Sequence, residues 1–476
     1  MKSLASRRYH FSGVGGSGMA PMAQLAALLG ARVTGSDRNR DRGLKLPVFD
    51  ALEKAGVALV PQDGSGVVPG LDALVHSTAV EPTNPDFLRA QSLGITRIRR
   101  GSFLAALAAE RRAIAIAGTS GKSTVTAMVA HILLENGLDP SFLGGGAAVD
   151  LAGSFPPGGL RVGGSDWFVV ETDESDGSVA EFSPAIATLT NLTRDHKEIE
   201  ITAELFGRLL AQTRERAVVH VGDPALADVP RPEHLSFLTV AVDGDPVWLP
   251  ADLVARPTRL APNGVRFEIG GVEARVPFPG ILTVQNAAIA IATAHAAGIP
   301  VEGAARALLR FGGVRRRLER IGAADEIDVF DDFAHNPVKI RMAVEALRPA
   351  GALWVFYQPH GYGPTRFFRD ELIETFRAVL RPEDHLLLAP IYDAGGTAER
   401  TIRSEDIADP LSREGILAEV TPSREDALRR VIDRARRGDR VVVMGARDDT
   451  LPSFAREILA GLLARAGEPA TGRAQR

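Results

Sequence analysis

Short apolar runs, each ending in a glycine or polar turn and followed by a stretch of helical periodicity, recur along this chain; that alternation predicts strands and helices in turn. Tyr9 to Ser12 reads as a strand, followed by a glycine turn, an apolar helical stretch from Met19 to Leu29 and a second strand from Arg32 to Gly35. That order is a βαβ unit. Further strands are expected at Val57 to Val60 and Ala73 to His76, with helical stretches between them and a first boundary near Ala105 to Arg112. A second series opens with Ala113 to Ala117, a glycine turn and a helix through His131 to Glu135, then strands at Trp167 to Glu171, Ile186 to Asn191 and Ala217 to Val221. From Ala241 to Val276 the chain is rich in Val, Pro and Gly, which predicts a small antiparallel excursion before a helix that includes Asn286 to Ala297. After a second boundary near Arg315, strands are expected at Asp328 to Asp331, Leu353 to Tyr357, His385 to Ala389 and Arg440 to Met444. The small, polar tail from Glu468 to Arg476 is expected to fray. The pattern predicts an α/β protein of three domains, which suits 476 residues at roughly 100–200 residues per domain.

Composition adds limits. With 45% hydrophobic and 24% charged residues, a net charge of -4 and a pI near 6.2, there is no global electrostatic reason to bind nucleic acid or an anionic membrane. Any phosphate binding must be local. No cysteine is present, so disulfides, thiolate catalysis and cysteine-ligated metal are excluded. Apolar stretches such as Ala23 to Leu29 fall short of the ~20 residues that span a bilayer, and no export signal is expected from the glycine-broken run that opens the sequence. A soluble, cytoplasmic protein is expected.

Gly118-Thr119-Ser120-Gly121-Lys122-Ser123-Thr124 sits between an apolar strand and a helix. There, glycines let backbone N–H groups approach phosphate oxygens, Lys122 adds a full charge and Ser123 can reach magnesium. The expected ligand is a nucleoside triphosphate. A second turn, Gly13-Val14-Gly15-Gly16-Ser17-Gly18, fits G-x-G-x-x-G after a strand, with Asp37 at the end of the next strand. Such a turn takes a pyrophosphate, whether of NAD, FAD or a UDP-sugar. Two nucleotide loops in series fit a dehydrogenase less well than an enzyme using ATP and a diphosphate substrate.

Glu171-Thr172-Asp173-Glu174-Ser175-Asp176 emerges at a strand's carboxyl end, where Glu171 with Ser123 could offer magnesium the hard oxygens it needs. Asn191 to His196 follows another strand; His196 could bind metal with Asp195 orienting its ring. Asp331-Asp332-Phe333-Ala334-His335-Asn336-Pro337 again groups acid and imidazole, and Arg315-Arg316-Arg317 could place a guanidinium on phosphate.

Taken in order, HFSGVGGSGM with GSD at 35–37, AGTSGKST, ETDESDGS, TNLTRDH, the Asn286-Ala287-Ala288 helix, GVRRRLERIG, DDFAHNP, YQPHGYGPTR and VVVMGARDD resemble the Mur ligase family over nearly the whole chain. The closest branch by these motifs is the one that joins L-alanine to UDP-N-acetylmuramate. The resemblance implies a Rossmann-like UDP-sugar domain over 1–110, a central P-loop ATPase-like domain over 111–315 and a Rossmann-like amino-acid domain over 316–476. It places Gly15, Ser17 and Gly18 near the pyrophosphate, Asp37 near the uridine with Ser77 beside it, and Lys122 and Ser123 on the ATP phosphates and magnesium. Glu171 and His196 would be metal ligands, Asn286 would approach the adenine, Arg317 and Asp332 would close onto the nucleotide, and His335, His360 and Arg366 would serve the amino acid. The implied chemistry is transfer of the ATP γ-phosphoryl to a carboxylate, then attack of an amine on the acyl phosphate, in a monomer or homodimer.

The chain departs from that branch at Ser120 and Asn336, where the branch has His, at Ile281-Leu282-Thr283 in place of Arg-His-Asn, and at Gly361 and Pro364 in place of arginines. Two other readings stand beside alanine ligation. One is ligation of a tripeptide to the same sugar; the other is a UDP-sugar-binding protein without turnover.

Overall fold

The computed structural model describes residues 4–78, 80–151, 159–194, 197–261, 263–393 and 399–467; the tail expected to fray lies outside them. Three sheets carry the chain. The first holds β1 (Arg8–Ser12), β2 (Arg32–Ser36), β3 (Ala58–Val60), β4 (Ala73–His76) and β5 (Arg97–Arg99), in the order β3-β2-β1-β4-β5. All its pairs are parallel, and β1 lies between β2 and β4. Strand order therefore reverses beside β1, and the carboxyl end of β1 carries the first glycine turn, as ligand crevices of open α/β sheets require.

The second sheet comprises β6 (Arg112–Ala117), β7 (Ser141–Leu143), β8 (Leu160–Arg161), β9 (Trp167–Glu171), β10 (Ile186–Leu189), β11 (Arg216–His220), β12 (Ser236–Val242), β13 (Leu253–Ala261), β14 (Gly264–Ile269) and β15 (Val272–Val276). Its order is β15-β14-β13-β12-β11-β10-β6-β9-β7-β8. β6 pairs in parallel with β10 on one side and β9 on the other, which puts the second glycine turn at another switch point. The antiparallel excursion expected over Ala241 to Val276 is corrected in its first half and present in its second. β12 and β13 extend the parallel sheet, with Val240 opposite Leu253, because the end of β12 is buried on both faces. β14 lies between β13 and β15 and forms an antiparallel hairpin with β15, with Ile269 opposite Val272. Its turn is Gly270-Gly271, at φ 57° and 77°, the left-handed pair that a two-residue hairpin demands.

The third sheet holds β16 (Glu319–Ala324), β17 (Ile327–Asp332), β18 (Leu353–Gln358), β19 (His385–Leu388), β20 (Leu417–Val420) and β21 (Arg440–Gly445), ordered β16-β17-β21-β18-β19-β20. Only its edge strand β16 runs antiparallel. β18 and β21 are buried along their whole length, so their near-continuous apolar runs belong to strands covered on both faces. Short or polar edge strands such as β5, β8, β16 and β20 were not expected from the sequence, because edges carry little of that apolar signal, nor was the three-residue β7 inside the second sheet. The chain forms two compact units: Met1–Arg259 with Val265–Pro277 and Thr283–Gly313, and Leu260–Gly264 with Phe278–Leu282 and Val314–Arg476. Among the described residues no helix is long and apolar enough to cross a membrane.

A buried polar network braces the first sheet beneath its glycine turn. Asp86 Oδ2 accepts from Ser36 Oγ at 2.6 Å and Ser12 Oγ at 2.8 Å, and lies 3.4 Å from His10 Nε2. His10 Nδ1 is 2.8 Å from Thr34 Oγ1. Burial pulls the Asp86 carboxyl upward, but the hydrogen bonds from His10, Ser36 and Ser12 outweigh it and hold the group below the usual carboxylate range. Its contribution to stability is therefore present above the unfolded carboxylate pKa of about 3.9 and lost as pH falls through the lower folded value. Asp86→Ala is expected to destabilise the first unit by about 3–5 kcal/mol, since it strands three buried partners. Urea unfolding at neutral pH measures this, and a loss below about 1 kcal/mol would count against the network.

Candidate active site

β6 feeds a turn in which Gly118 and Gly121 adopt φ of 145° and 79°. A Cβ on Gly118 would overlap Thr190 Oγ1, and one on Gly121 would stand 2.6 Å from Asn286 Oδ1, so both positions need glycine. The neighbouring strand's end holds the turn open. Asn191 Oδ1 accepts from Ser120 N at 2.8 Å, Thr119 Oγ1 at 2.8 Å and Thr119 N at 3.2 Å, and its Nδ2 donates to Ser120 O at 2.9 Å. Thr190 Oγ1 donates to the same carbonyl at 2.9 Å.

The helix Lys122–Glu135 starts directly after the turn. Lys122 Nζ donates to Gly118 O at 2.6 Å and to Glu174 Oε2 at 2.7 Å, and is thereby folded back over the loop. Ser123 Oγ donates to Glu171 Oε1 at 3.1 Å, while Glu171 Oε2 accepts from Gly145 N at 2.6 Å. Thr124 follows on the first helical turn, half-buried, and Asn286 reaches the loop from the helix Ile281–Ala296. Ser123 and Glu171 thus present two adjacent hard oxygens beside the loop. That set fits magnesium, which takes one or two protein oxygens and fills its other positions with water and phosphate. Among the described residues no group of three or more His, Asp or Glu side chains forms a cage of its own. The expected ligand His196, with Asp195, lies outside the described residues.

At the first glycine turn, Gly13 N and Val14 N both donate to Ser36 O, at 2.8 and 2.9 Å. Asp37 is buried, and both its oxygens serve the backbone: Oδ2 accepts from Gly15 N at 2.9 Å and Oδ1 from Asn39 N at 2.9 Å. The carboxylate expected to face a nucleoside thus also fixes the shape of the turn. Ser17 is exposed, Gly18 begins the helix Met19–Leu28, and Ser77 follows β4 on the adjacent strand. Arg100, which no sequence motif singled out, lies against Gly18 and pairs with Asp173 at 2.8 Å.

In the second unit the three arginines diverge. Arg315 pairs with Glu319. Arg316, in the left-handed region at φ 58°, turns inward: Nη2 donates to Gly445 O at 2.6 Å and Nε stands 3.5 Å from Asp331 Oδ2, longer than a hydrogen bond. Asp331 is fully buried, and burial pushes its carboxyl up to about 7. Arg317 lies 5.2 Å from the Phe333 ring centre. Asp332 spends both oxygens on the backbone, accepting from Leu318 N at 2.6 Å and Ala334 N at 2.7 Å. Expected to meet a nucleotide, Asp332 here clamps the Arg317-Leu318 segment to the end of β17.

His335 and His360 are brought together, ring centres 4.7 Å apart. His335 Nδ1 is 2.8 Å from Phe333 O, which makes it the donor, and burial holds the imidazole down to about 3. Asn336 caps the helix Pro337–Ala346 by accepting from Lys339 N at 2.9 Å. Arg366 lies a turn into the helix Tyr362–Val379 and donates to Glu399 O at 2.7 Å and Thr401 Oγ1 at 2.9 Å. Sequence reasoning missed Arg100 altogether and, in Asn191, the role of a residue it had placed only in a strand-end motif; both roles arise from distant partners that no local spacing encodes.

Three family models match in succession: the Mur ligase family catalytic domain over residues 8–112, the Mur ligase middle domain over 116–294 and the Mur ligase glutamate ligase domain over 316–447. The chain is 33% identical over 456 residues to the UDP-N-acetylmuramate–L-alanine ligase of Desulforamulus reducens, covering 93% of this chain and 95% of that one. It is 32% identical to the protein of the same name from Thermobifida fusca, covering 93% and 94%. Among solved structures, a UDP-N-acetylmuramate–alanine ligase from Thermotoga maritima aligns with a TM-score of 0.74 at 23% identity, over 95% of this chain and 98% of that one. A murein peptide ligase from Psychrobacter arcticus aligns with a TM-score of 0.66 at 24% identity, over 98% and 100%.

The neutral state of His335 is directly checkable. Its depressed value means that the uncharged ring is favoured by folding, so the stability it contributes is fully present above the unfolded pKa of about 6.5 and is lost progressively as pH falls from there through about 3. The ring resonances of His335, assigned by comparison with His335→Gln, are expected to stay flat between about pH 5 and 8. A titration centred near 6.5 would contradict the buried, neutral imidazole.

Proposed function

The chain belongs to the Mur ligase family and is an ATP-dependent acid–amino-acid ligase, and from that premise we propose that it joins L-alanine to the carboxylate of UDP-N-acetylmuramate in peptidoglycan precursor synthesis. The observation that carries this reading is the turn after β6, where Lys122 and Ser123 meet Glu174 and Glu171 from the end of β9. A nucleoside triphosphate fits this turn. Backbone amides and the lysine offset phosphate charge, and the two oxygens suit the divalent ion that accompanies it. Alanine as the amino acid is supported by the names of relatives that match over more than nine-tenths of both chains.

The reaction balances as two displacements. A carboxylate oxygen of the sugar acid attacks the γ-phosphorus of ATP and the bond to the β-phosphate oxygen breaks, leaving ADP and an acyl phosphate. The amine of alanine, having lost one proton, attacks the acyl carbon, and the carbon–oxygen bond to phosphate breaks to leave an amide. Magnesium held at Ser123 and Glu171 would supply positive charge to the phosphate oxygens. Lys122 would leave Glu174 for those oxygens, exchanging one anionic partner for another so that its charge is never left bare. Asn191 would keep the loop amides pointed at the phosphates before ATP arrives, so no reorganisation is needed at the moment of transfer. Arg317, held by the Asp332 clamp, would bring a guanidinium to the nucleotide, and the neutral His335, with His360 beside it, would line the amine's approach. Since His335 is uncharged near neutral pH, it does not repel an ammonium group.

Phosphate release from ATP with magnesium is expected to require both UDP-N-acetylmuramate and L-alanine, and Lys122→Ala is expected to lower kcat by about a thousandfold or more. A coupled phosphate assay over single amino acids and the tripeptide tests this. Release driven only by the tripeptide would replace alanine as substrate, and release independent of any amine would sink the ligase reaction.

A further inference from the structure

Where the helix Arg100–Ala109 begins, its first two residues tie the turn after β1 to the acidic segment that follows β9. The Arg100 guanidinium lies across the turn after β1 so closely that a Cβ on Gly18 would overlap Nη1. Its Nη2 donates to Asp173 Oδ2 at 2.8 Å, in the acidic segment that follows β9. Asp173 is itself fixed, its Oδ1 accepting from Ser175 N at 2.9 Å and Ser175 Oγ at 2.6 Å. Next along, a Cβ on Gly101 would overlap Ser178 Oγ, so the start of this helix is seated against the same acidic segment. The guanidinium is therefore held from two sides, yet 28% of its side-chain surface remains open.

A guanidinium presents five donors in a rigid fork, and Asp173 engages one edge of it. Its other amino group, Nη1, lies beside Gly18, on the turn whose amides suit a pyrophosphate. We propose that Arg100 is a ligand of the diphosphate of the UDP-sugar, positioned by Asp173. This rests on the ligase reading above. The arrangement also explains why glycine is needed at both 18 and 101: any side chain at either position would displace the arginine or the segment that orients it. Because Asp173 stands between Glu171 and Glu174, a single acidic segment sets Arg100 at one nucleotide and Lys122 at the other.

Calorimetric binding of UDP, uridine monophosphate and UDP-N-acetylmuramate to the whole chain, to Arg100→Gln and to Arg100→Lys tests the assignment. Arg100→Gln is expected to weaken UDP and the UDP-sugar by about tenfold or more and the monophosphate markedly less, so that the preference for diphosphate collapses. Arg100→Lys should fall between the two, keeping charge without the fork. Affinities for UDP within about twofold of the parent in both variants would overturn the proposal while leaving the ligase reading intact. If Arg100→Gln also loses ATP-analogue binding through misfolding, Arg100→Lys alone decides: an undiminished UDP preference overturns the proposal, a reduced one supports it. Failure of the parent chain to bind either uridine diphosphate species would overturn both readings.

Discussion

The Asn191 side chain, reaching from the end of β10 into the turn after β6, fixes the backbone on which the proposed phosphate chemistry depends. Its carboxamide engages Thr119, Ser120 and the Ser120 carbonyl together, so the loop is tied to a neighbouring strand of the same sheet rather than only to its own ends. A glycine-rich loop is costly to order, since glycine loses the most backbone freedom on folding. Side-chain anchors from a buried parallel strand offset that cost before any ligand binds, and the loop amides are left converging on a site for anions.

The same logic recurs at the other two sheets. Asp37 holds the turn after β1 through Gly15, and Asp332 holds the Arg317-Leu318 segment at the end of β17. In each case a carboxylate, or the carboxamide of Asn191, at a strand's carboxyl end spends its oxygens on backbone N–H groups of the segment proposed to meet the ligand. Such bonds are favourable and, for the acids, charge-assisted. They set geometry for neighbours that carry positive charge: Lys122 beside one loop, Arg317 beside another and Arg100 beside the third. Positive groups are in turn kept paired, Lys122 with Glu174 and Arg100 with Asp173, which spares the fold exposed or buried uncompensated charge.

Much of this was legible in the sequence, and the reasons for the rest are physical. Glycine turns after apolar strands announce themselves because few other residues tolerate their backbone, and the order of motifs identified three α/β domains. The parallel run of β12 and β13 was misread because Pro and Gly in the connecting segments obscured a buried apolar strand end. The backbone role of Asp37 and Asp332 was hidden, since an acid at a strand end has the same letter whether it faces a ligand or a backbone amide. Arg100 left no local trace at all. Its two partners lie 82 and 73 positions away in the chain, Gly18 and Asp173, and only the fold brings them to one place.

The central claim is that the sugar acid's carboxylate is activated as an acyl phosphate, and it is tested most directly by the fate of that carboxylate's oxygen. UDP-N-acetylmuramate carrying a heavy-oxygen label in its carboxylate, turned over with ATP, magnesium and L-alanine, is predicted to deliver one labelled oxygen to inorganic phosphate for each amide formed. Unlabelled phosphate, or label found in AMP with release of pyrophosphate, would contradict the account.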